Sequence, residues 1–504
     1  MRYLCYNKKM EIREEDTMRK KVIGALLIIV FISMSFSLIS LSALVNGNAQ
    51  VTQLAQVASI NSSGIGSQSN QVSSITSGFY DGLGTIYTVQ TLDGVNIKVL
   101  RYHPIGQNFN NGSQPILLLP GIVANINEFL SHTTPRVAQL YPNITLPANL
   151  SSWAVGDPNI QKDPLLYYSP AYFLWKQGYD VWLANYRGTG FGDMKSGMGN
   201  SNTTLDDWAL LDARAALNFV YSMTLQHPVV GGHSTGGLST MMLLQGAYIQ
   251  SNGMVASNET LAKERNGIIQ GPETIKAYIA LEPAGIPVIS SSEESTLGWL
   301  MLSANVYLDL RSIIQALDGT GNLSLIALDS NLMSLLGQTP LKDLVTNIMN
   351  LDPTDFTPAL GYYQTLYCLD STYLSCLAQY SDFAFEHTIR EFYRDGASNQ
   401  YVIVPSQPHN GDGYYYFVDT PWSTNMKKMS VPMITIFASM QNNYNDLVNS
   451  TEIIQDFINA KTATPYDAYY IIPGTAHIDC PIGNHAPTDI FPILSSWLAV
   501  VAPP

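Results

Sequence analysis

A serine flanked by glycines is the clearest chemical signal in this sequence. Gly232-His233-Ser234-Thr235-Gly236 matches the pattern G-x-S-x-G, which can expose a serine hydroxyl on a sharp, strained turn between a strand and a helix. A strand-like run, Pro228 to Gly232, comes before the turn, and the apolar run Leu238 to Tyr248 after it predicts a helix. Small residues are needed on both sides of the serine because such a turn brings the helix close to the strand. We predict that Ser234 is a nucleophile; the alternative is a turn whose serine only caps the helix.

A nucleophilic serine needs a base that removes its proton and a carboxylate that orients the base. The order serine, acid, histidine can be searched along the chain. Val431 to Phe437 predicts a late core strand, and the first acidic residue after it is Asp446. His477 follows the last predicted strand, Tyr469 to Ile472, from which its ring could reach Ser234 over the strand ends. We predict Asp446 and His477 as the acid and the base, with His485 as the rival base.

Two backbone N–H groups must stabilise the oxyanion that forms when a serine attacks a carbonyl carbon. One is predicted at Thr235, directly after the nucleophile, and the other at Ile122, in the turn that follows the strand Pro115 to Leu119. A plain turn at Pro120-Gly121 is the alternative. His233 is expected to pack beside the nucleophile rather than to act as its base.

The elements around these residues alternate between strands and helices. Two β-rich segments, Ile86 to Thr91 and Val95 to Tyr102, are joined through Asp93-Gly94, a strong hairpin signal. Further strands are predicted at Tyr179 to Ala184 and at Ile275 to Leu281, and a helix between Leu205 and Tyr221. Alternation of this kind predicts an α/β fold with a mostly parallel central sheet and helices on both faces.

The chain resembles the α/β-hydrolase lipases of the gastric and lysosomal acid lipase group. The resemblance covers roughly residues 86–498, and Gly178 to Gly188, which contains Tyr-Asp-Val-Trp-Leu, is its most specific part. The other supporting segments, in the family's order, are Thr91 to Gly94, Leu118 to Ile122, Gly232 to Gly236, Asn445 to Leu447 and His477 to Asp479. The resemblance implies an α/β-hydrolase fold, a Ser234, Asp446 and His477 triad, and an oxyanion framed by Ile122 and Thr235. This chain departs from the family at Pro120-Gly121, where His-Gly is usual, and at Thr235, where Gln is usual.

Changes of pattern along the chain predict its domain organisation. Residues 79–285 and 429–504 are predicted to be the two parts of the hydrolase core, and residues 286–428 an inserted, mainly helical cap or lid. Leu297, Leu300, Met301, Ala304 and Leu308 form one apolar stripe at helical spacing in this insertion, and Leu341, Leu344, Val345 and Ile348 form another. Such stripes could line an acyl-binding cleft or simply form the core of the cap.

The N-terminus predicts export. A positively charged segment, residues 1–21, precedes the apolar run Val22 to Val45, and residues 46–78 form a linker rich in Ser, Asn and Gln. The apolar run is long enough to span a bilayer, so it predicts an uncleaved signal anchor or, alternatively, a cleaved signal peptide. The rest of the chain is then expected outside the cell, either anchored to the membrane or secreted.

Composition and charge exclude several classes of function. Lys and Arg number 25 against 39 Asp and Glu, a net charge of −14 that leaves no basic face for a nucleic acid. The four cysteines show no zinc-binding pattern, and His477, Asp479, Cys480 and His485 match no common set of metal ligands. Neither a metal nor another cofactor is therefore predicted. Cys368 and Cys376 could form a small disulfide or remain two buried thiols.

These residues together predict a serine hydrolase that cleaves carboxylic esters, lipid or acyl esters above all, through an acyl-enzyme intermediate. A peptidase or amidase of the same fold is one alternative, since it would use the same triad with a different cap. A catalytically silent, anchored surface protein that uses its cap as a binding platform is another. The oligomeric state is not predicted.

Overall fold

A computed structural model describes residues 72–73, 84–104, 112–283, 306–319, 352–386, 388–392, 414–418, 425–439 and 459–504. Contacts divide the chain into two units, Met1–Ser69 and Asn70–Pro504, and every described residue belongs to the second. The predicted signal anchor at residues 22–45 lies outside the described residues. Within the described residues, no helix has the length and apolar character needed to cross a membrane.

Fifteen strands can be assigned in the described residues. They are β1 (Val72–Ser73), β2 (Gly84–Gln90), β3 (Asn96–Tyr102), β4 (Pro115–Leu119), β5 (Asp180–Asn185), β6 (Val229–His233), β7 (Ala247–Ile249), β8 (Val255–Ser257), β9 (Ala277–Leu281), β10 (Tyr307–Leu308), β11 (Thr372–Tyr373), β12 (Thr388–Arg390), β13 (Tyr415–Val418), β14 (Met433–Ala438) and β15 (Ala468–Ile472).

The helices of the described residues are mostly short. They are α1 (Pro135–Leu140), α2 (Pro158–Lys162), α3 (Pro170–Lys176), α4 (Leu205–Asp207), α5 (Arg214–Thr224), α6 (Thr235–Leu244), α7 (Glu259–Arg265), α8 (Leu310–Gly319), α9 (Pro358–Tyr363), α10 (Leu374–Glu386), α11 (Asp479–Ile482) and α12 (Phe491–Val501). A π-helical segment, Trp208–Ala213, makes α4 and α5 continuous, and similar segments occur at Gln364–Cys368 and Ala486–Ile490. Single 3₁₀ turns occur at Ile126–Phe129, Pro164–Tyr168, Gly192–Met194, Pro353–Asp355 and Met426–Lys428.

One nine-stranded sheet organises the molecule, in the order β1-β2-β3-β5-β4-β6-β9-β14-β15. The strands β1, β2 and β3 are antiparallel to their neighbours, and the six strands from β5 to β15 in this order run parallel. Parallel strands end at the same edge of a sheet, so the loops after β4, β6, β9, β14 and β15 meet there. This is the α/β-hydrolase fold, and the predicted fold class is confirmed.

The two faces of the sheet bury different side chains because residues alternate along a strand. On β4, Leu117 and Leu119 belong to the core that includes residues of α5 and α6, whereas Ile116 and Leu118 belong to the core that includes residues of α3 and α12. All five residues of β4 are buried, as expected of a parallel strand covered on both faces. Each fully buried leucine contributes about 1.5–3 kcal/mol of transfer free energy, so the central strands hold the site's loops on a rigid base.

Two helix predictions are wrong at named residues. The helix after Ser234 was expected to reach Tyr248 but ends at Leu244, because Gly246 has a φ of 71° and the chain then forms β7. Leu308 lies in β10 rather than in a helical stripe, since it pairs with Thr372 of β11. The other residues of the two predicted stripes lie outside the described residues.

Candidate active site

The turn at Ser234 joins β6 directly to α6. Ser234 has φ 50° and ψ −116°, a conformation that residues other than glycine rarely adopt. Its backbone N–H donates to the carbonyl of Leu281 over 3.0 Å, which ties the turn to the end of β9. The described residues contain four non-glycine residues with positive φ, and three of them, Val123, Ser234 and Glu282, lie in loops at this edge of the sheet. Strain of this kind costs about 1–3 kcal/mol per residue and gathers at functional sites.

The glycines of the motif allow this turn to pack against β4. A Cβ placed on Gly232 or on Gly236 would lie 1.9 Å from the carbonyl oxygen of Leu119, a distance that no side chain can adopt. The start of α6 therefore sits directly against the neighbouring strand. The backbone N–H of Thr235, the first residue of α6, lies at the positive end of the helix dipole.

The predicted oxyanion loop lies beside the serine. Gly121, the second residue after β4, approaches Ser234 so closely that a Cβ on it would lie 3.3 Å from the Ser234 Cβ. Ile122 follows in the same turn and is buried. The Gly121 N–H is held by Glu128, whose Oε1 accepts it over 2.9 Å. The loop that contains Ile122 is thus fixed by a buried carboxylate from the 3₁₀ turn Ile126–Phe129.

His477 enters the site from the loop after β15 and meets a carboxylate that the sequence analysis missed. Its Nδ1 lies 3.3 Å from Oε2 of Glu282, the residue directly after β9. Glu282 is fully buried, and its N–H donates to the carbonyl of Ile436 over 2.7 Å. Its Oε1 accepts a hydrogen bond from the N–H of Ala438, at the end of β14. Two contacts to one neighbouring strand therefore aim this carboxylate at the histidine.

Burial shapes the electrostatics of this pair. Burial, and then the electrostatic effect of the adjacent His233, lower the pKa of His477 well below its ordinary value, which keeps the imidazole neutral at neutral pH. Burial, and then the charge of Asp479, raise the pKa of Glu282 well above its ordinary value. A neutral imidazole beside a carboxyl group can accept a proton and be stabilised as the imidazolium once the carboxyl group is ionised.

A second carboxylate and histidine pair lies next to the first. His233, the last residue of β6, places Nδ1 3.2 Å from Oε2 of Glu128 and Nε2 2.9 Å from the carbonyl oxygen of His477. The rings of His233 and His477 are 4.8 Å apart between centroids. These contacts connect the oxyanion loop, the serine turn and the His477 loop in one buried network.

The inserted segment contributes a tyrosine to the site. Tyr380, on α10, has its phenol oxygen 2.9 Å from Oγ1 of Thr235, and the same phenol interacts with the side chain of Ser234. Tyr380 is 4% exposed and Ser234 is 5% exposed, so α10 covers the nucleophile.

The structure places some of the predicted site residues at one edge of the sheet and others elsewhere or outside the described residues. Ser234, Thr235, Ile122 and His477 all follow strands that end at the same edge of the sheet, whereas Asp446 lies outside the described residues. The rival base His485 is 46% exposed at its side chain and pairs with Asp355 at 2.5 Å, away from Ser234's contacts. The signal for Glu282 was present in the sequence, because it is the first residue after the predicted strand that ends at Leu281. The acid was sought only after the later strand Val431 to Phe437, so Glu282 was passed over.

The described residues contain neither a candidate metal site nor a disulfide bond. Its His, Cys, Asp and Glu residues form no group of three suited to a metal ion. Cys368, Cys376 and Cys480 are free, buried thiols. Burial raises the pKa of the Cys368 and Cys376 thiols, so they remain protonated, and the alternative of two thiols rather than a disulfide holds here.

The similarity of this chain to known proteins is found among solved structures. No protein-family model and no curated protein matches the sequence. Among solved structures, the chain is similar to a candidate lipase from Sulfolobus solfataricus, with 10% identity, a TM-score of 0.46 and coverage of 86% of this chain and 99% of that one. It is also similar to a thermophilic esterase from Thermogutta terrifontis (12% identity, TM-score 0.35, 82% and 98% covered). The Cif epoxide hydrolase from Acinetobacter nosocomialis is a third (12%, 0.36, 83% and 90%).

Proposed function

We propose that this chain is a serine hydrolase that cleaves carboxylic esters. The observation that carries the proposal is the strained turn at Ser234, φ 50°, which lies between a parallel strand and a helix and is backed by the buried Glu282 and His477 pair. A serine that only capped a helix would need neither the unusual backbone conformation nor a neutral buried histidine nearby. A relationship to the gastric and lysosomal acid lipase group is part of this proposal, supported by the order of sequence segments.

In the proposed acylation step, the Ser234 oxygen forms a bond to the ester carbonyl carbon while its proton passes to Nε2 of His477. The carbonyl oxygen becomes an oxyanion, which the N–H groups of Ile122 and Thr235 stabilise. The C–O bond to the alcohol then breaks, and the imidazolium of His477 protonates the departing alkoxide. The product of this step is an acyl-enzyme on Ser234.

Deacylation repeats these steps with water as the attacking group. His477, neutral again, removes a proton from a water molecule whose oxygen attacks the acyl carbon, and the imidazolium then protonates Ser234 as the acid leaves. The lowered pKa of His477 suits both steps, because the ring must return to its neutral form between them.

Glu282 is proposed as the carboxylate that orients His477. The contact between its Oε2 and Nδ1 of the histidine supports this role, because an acceptor at Nδ1 keeps the hydrogen there and leaves Nε2 to face the serine. Asp446, the acid proposed from the sequence, lies outside the described residues and remains a prediction. Substitutions at the two positions separate the alternatives, as described in the Discussion.

The substrate is proposed to carry an apolar acyl group. The cap supports this proposal through α10, which buries Leu377, Tyr380 and Phe383 at helical spacing and lies over the nucleophile through Tyr380. An ester bound under such a helix would place its acyl chain among apolar side chains and leave the carbonyl carbon at Ser234. A lipid ester and a smaller acyl ester both fit this description.

The place of action is proposed to be outside the cell. Residues 22–45 form an apolar run after a basic segment, which supports a signal anchor that holds the hydrolase domain at the membrane or a signal peptide that releases it.

The experiment uses the full-length chain purified in detergent and p-nitrophenyl esters of increasing acyl length, with Ser234→Ala as the test variant. Ser222→Ala is the matched control, since Ser222 is an exposed serine on α5 that bonds only to the carbonyl of Phe219. We expect ester hydrolysis and labelling by a fluorophosphonate in the wild type and the control, and loss of both in Ser234→Ala. A preference for longer chains would indicate a lipase.

Two other outcomes of this experiment would favour a different function. Labelling of Ser234 without ester turnover would direct the search to peptide and amide substrates. Absence of both labelling and turnover in the wild type would overturn the proposal and favour a silent binding platform.

A further inference from the structure

Tyr380, on α10, has its hydroxyl beside the nucleophile, and the proposed ester hydrolysis gives that hydroxyl no part in the chemistry. Its phenol oxygen lies 2.9 Å from Thr235 Oγ1 and also meets the Ser234 side chain. We propose that Tyr380 is a catalytic residue that donates its O–H hydrogen bond to the oxyanion, as a third donor beside the two backbone N–H groups. This inference rests on the proposed serine hydrolase function.

The cap helix that carries Tyr380 is anchored to the core, so the phenol has a defined position. Gln379, its neighbour on α10, accepts from the N–H of Leu205 over 2.9 Å and donates to Asp206 over 3.1 Å. The Ser375 hydroxyl, one turn earlier, donates to the carbonyl of Thr203. The Tyr380 ring packs edge-on against Phe383, with centroids 5.5 Å apart. A donor held on a rigid element loses little entropy when it meets a developing charge.

The partners of the phenol allow a hydrogen-bond arrangement that serves the oxyanion. A phenol has one hydrogen to donate and can also accept. If the Thr235 hydroxyl donates to the phenol oxygen, the phenol hydrogen is directed to the reacting oxygens at Ser234. Burial raises the pKa of Tyr380 above its ordinary value, so the hydrogen stays on the phenol throughout the working range. In the step itself, the carbonyl oxygen receives the electron pair of the C=O bond, and Tyr380 stabilises that charge without giving up its proton.

This arrangement also gives a reason for Thr235 at a position where the resembling lipases usually have Gln. The backbone N–H of residue 235 serves the oxyanion whatever the side chain, but only a short hydroxyl side chain here reaches Tyr380 at 2.9 Å. It follows that the oxyanion site is complete only with α10 over Ser234, so the cap helix is part of the proposed catalytic site.

The test compares Tyr380→Phe with the wild type in the ester assay and in the rate of fluorophosphonate labelling. We expect kcat to fall by roughly 10²-fold, the size of effect seen when one oxyanion donor is removed, with KM nearly unchanged and labelling slowed in parallel. Tyr414→Phe is the matched control, because Tyr414 is another buried tyrosine of the insertion, whose hydroxyl donates to Gln245 over 3.2 Å. That control should retain wild-type kcat.

Variants at Thr235 keep the proposal testable if Tyr380→Phe fails to fold. Thr235→Val should lower kcat, Thr235→Ser, which retains the hydroxyl, should lower it less, and adding Tyr380→Phe to Thr235→Val should lower it little further. An unchanged kcat in a folded Tyr380→Phe, or a fall confined to thermal stability or KM, would overturn the role of Tyr380 alone. A wild type that neither labels nor hydrolyses esters would instead overturn the function on which this role rests.

Discussion

The two buried pairs of carboxylate and histidine place the same chemical groups in different surroundings. In the Glu282 and His477 pair the carboxylate lies 3.3 Å from Nδ1, and in the Glu128 and His233 pair the corresponding distance is 3.2 Å. They differ in the part that the other ring nitrogen can play in the proposed mechanism. Nε2 of His233 lies 2.9 Å from the carbonyl oxygen of His477, which can only accept, so Nε2 carries a hydrogen and cannot take the proton of Ser234.

The comparison shows that a histidine's role depends on its second nitrogen more than on its carboxylate. The Glu128 and His233 pair joins the oxyanion loop, through the Gly121 N–H, to the backbone of the His477 loop. Its contacts make it a brace for the site, whereas the Glu282 and His477 pair is the one proposed to move the proton. Both His233 and His477 have an adjacent carboxylate. That feature alone would not have decided which of the two rings removes the proton of Ser234.

The largest effect is expected when the proton-transfer ring is removed. His477→Gln should lower kcat by roughly 10⁴- to 10⁶-fold, because removal of the base of a serine triad abolishes most of its catalysis. The matched variant His233→Gln should retain far more activity. Steady-state ester hydrolysis by the two proteins measures the difference, and equal losses would contradict the division of roles.

The carboxylate of the catalytic pair gives the next largest effect. Glu282→Gln should lower kcat by roughly 10⁴-fold, since a neutral amide neither holds the correct tautomer of His477 nor stabilises its imidazolium. Glu282→Asp should recover part of the rate because it restores the charge. Asp446→Asn is the comparison: a small loss there supports Glu282, and a loss as large as that of Glu282→Gln would transfer the role to Asp446.

The Glu128 and His233 pair should affect the free energy of unfolding more than it affects kcat. His233→Leu leaves the Glu128 carboxyl group buried beside an apolar side chain, and breaking such a buried pair costs about 3–5 kcal/mol of the free energy of unfolding. Urea-induced unfolding followed by circular dichroism measures this cost. Adding Glu128→Gln to His233→Leu should recover part of it, and no recovery would argue against a paired interaction.

The pH profile gives the smallest and most specific effect. The pKa of His477 is lowered by burial and by His233, so kcat/KM should stay high as the pH falls below 6.5, the ordinary histidine value, and drop only when the pair takes up a proton. His233→Asn removes one of the two causes of the lowered pKa. The acid limb of kcat/KM should then move to higher pH, and an unchanged limb would show that His233 carries no charge there.

The pKa shifts of Glu282 and His477 also make the free energy of unfolding depend on pH, in opposite directions. The raised pKa of Glu282 means that its contribution to stability is present below the ordinary carboxyl value of 4.5 and is lost as the pH rises through the folded value. The lowered pKa of His477 means that its contribution is present above 6.5 and is lost as the pH falls through the folded value. Burial of this pair therefore costs stability as the pH rises above 4.5 through the folded value of Glu282, and again as it falls below 6.5 through the folded value of His477.

Local signals in the sequence determined the main elements of the fold. The strand Pro115–Leu119 was predicted to the residue, and β6, β9, β14 and β15 were predicted within two residues at each end. These predictions succeeded because buried parallel strands are continuous apolar runs, bounded by turn residues, and this pattern is readable without tertiary information. The end of α6 at Gly246 could have been read as well, because glycine commonly ends helices.

Only the tertiary structure decided which groups meet. Ser234 and His477 could be proposed from sequence because each follows its own strand in a recognisable context, whereas Glu282 gains its meaning from the order of strands. That order places β9 between β6 and β14, so the residue after β9 is held by β14 and faces the loop after β15. The contact of Tyr380 with Thr235 joins residues 145 positions apart and depends on how the insertion docks. Periodicity and motifs report on neighbours along the chain, while hydrogen bonds between distant segments are set by packing of the whole core.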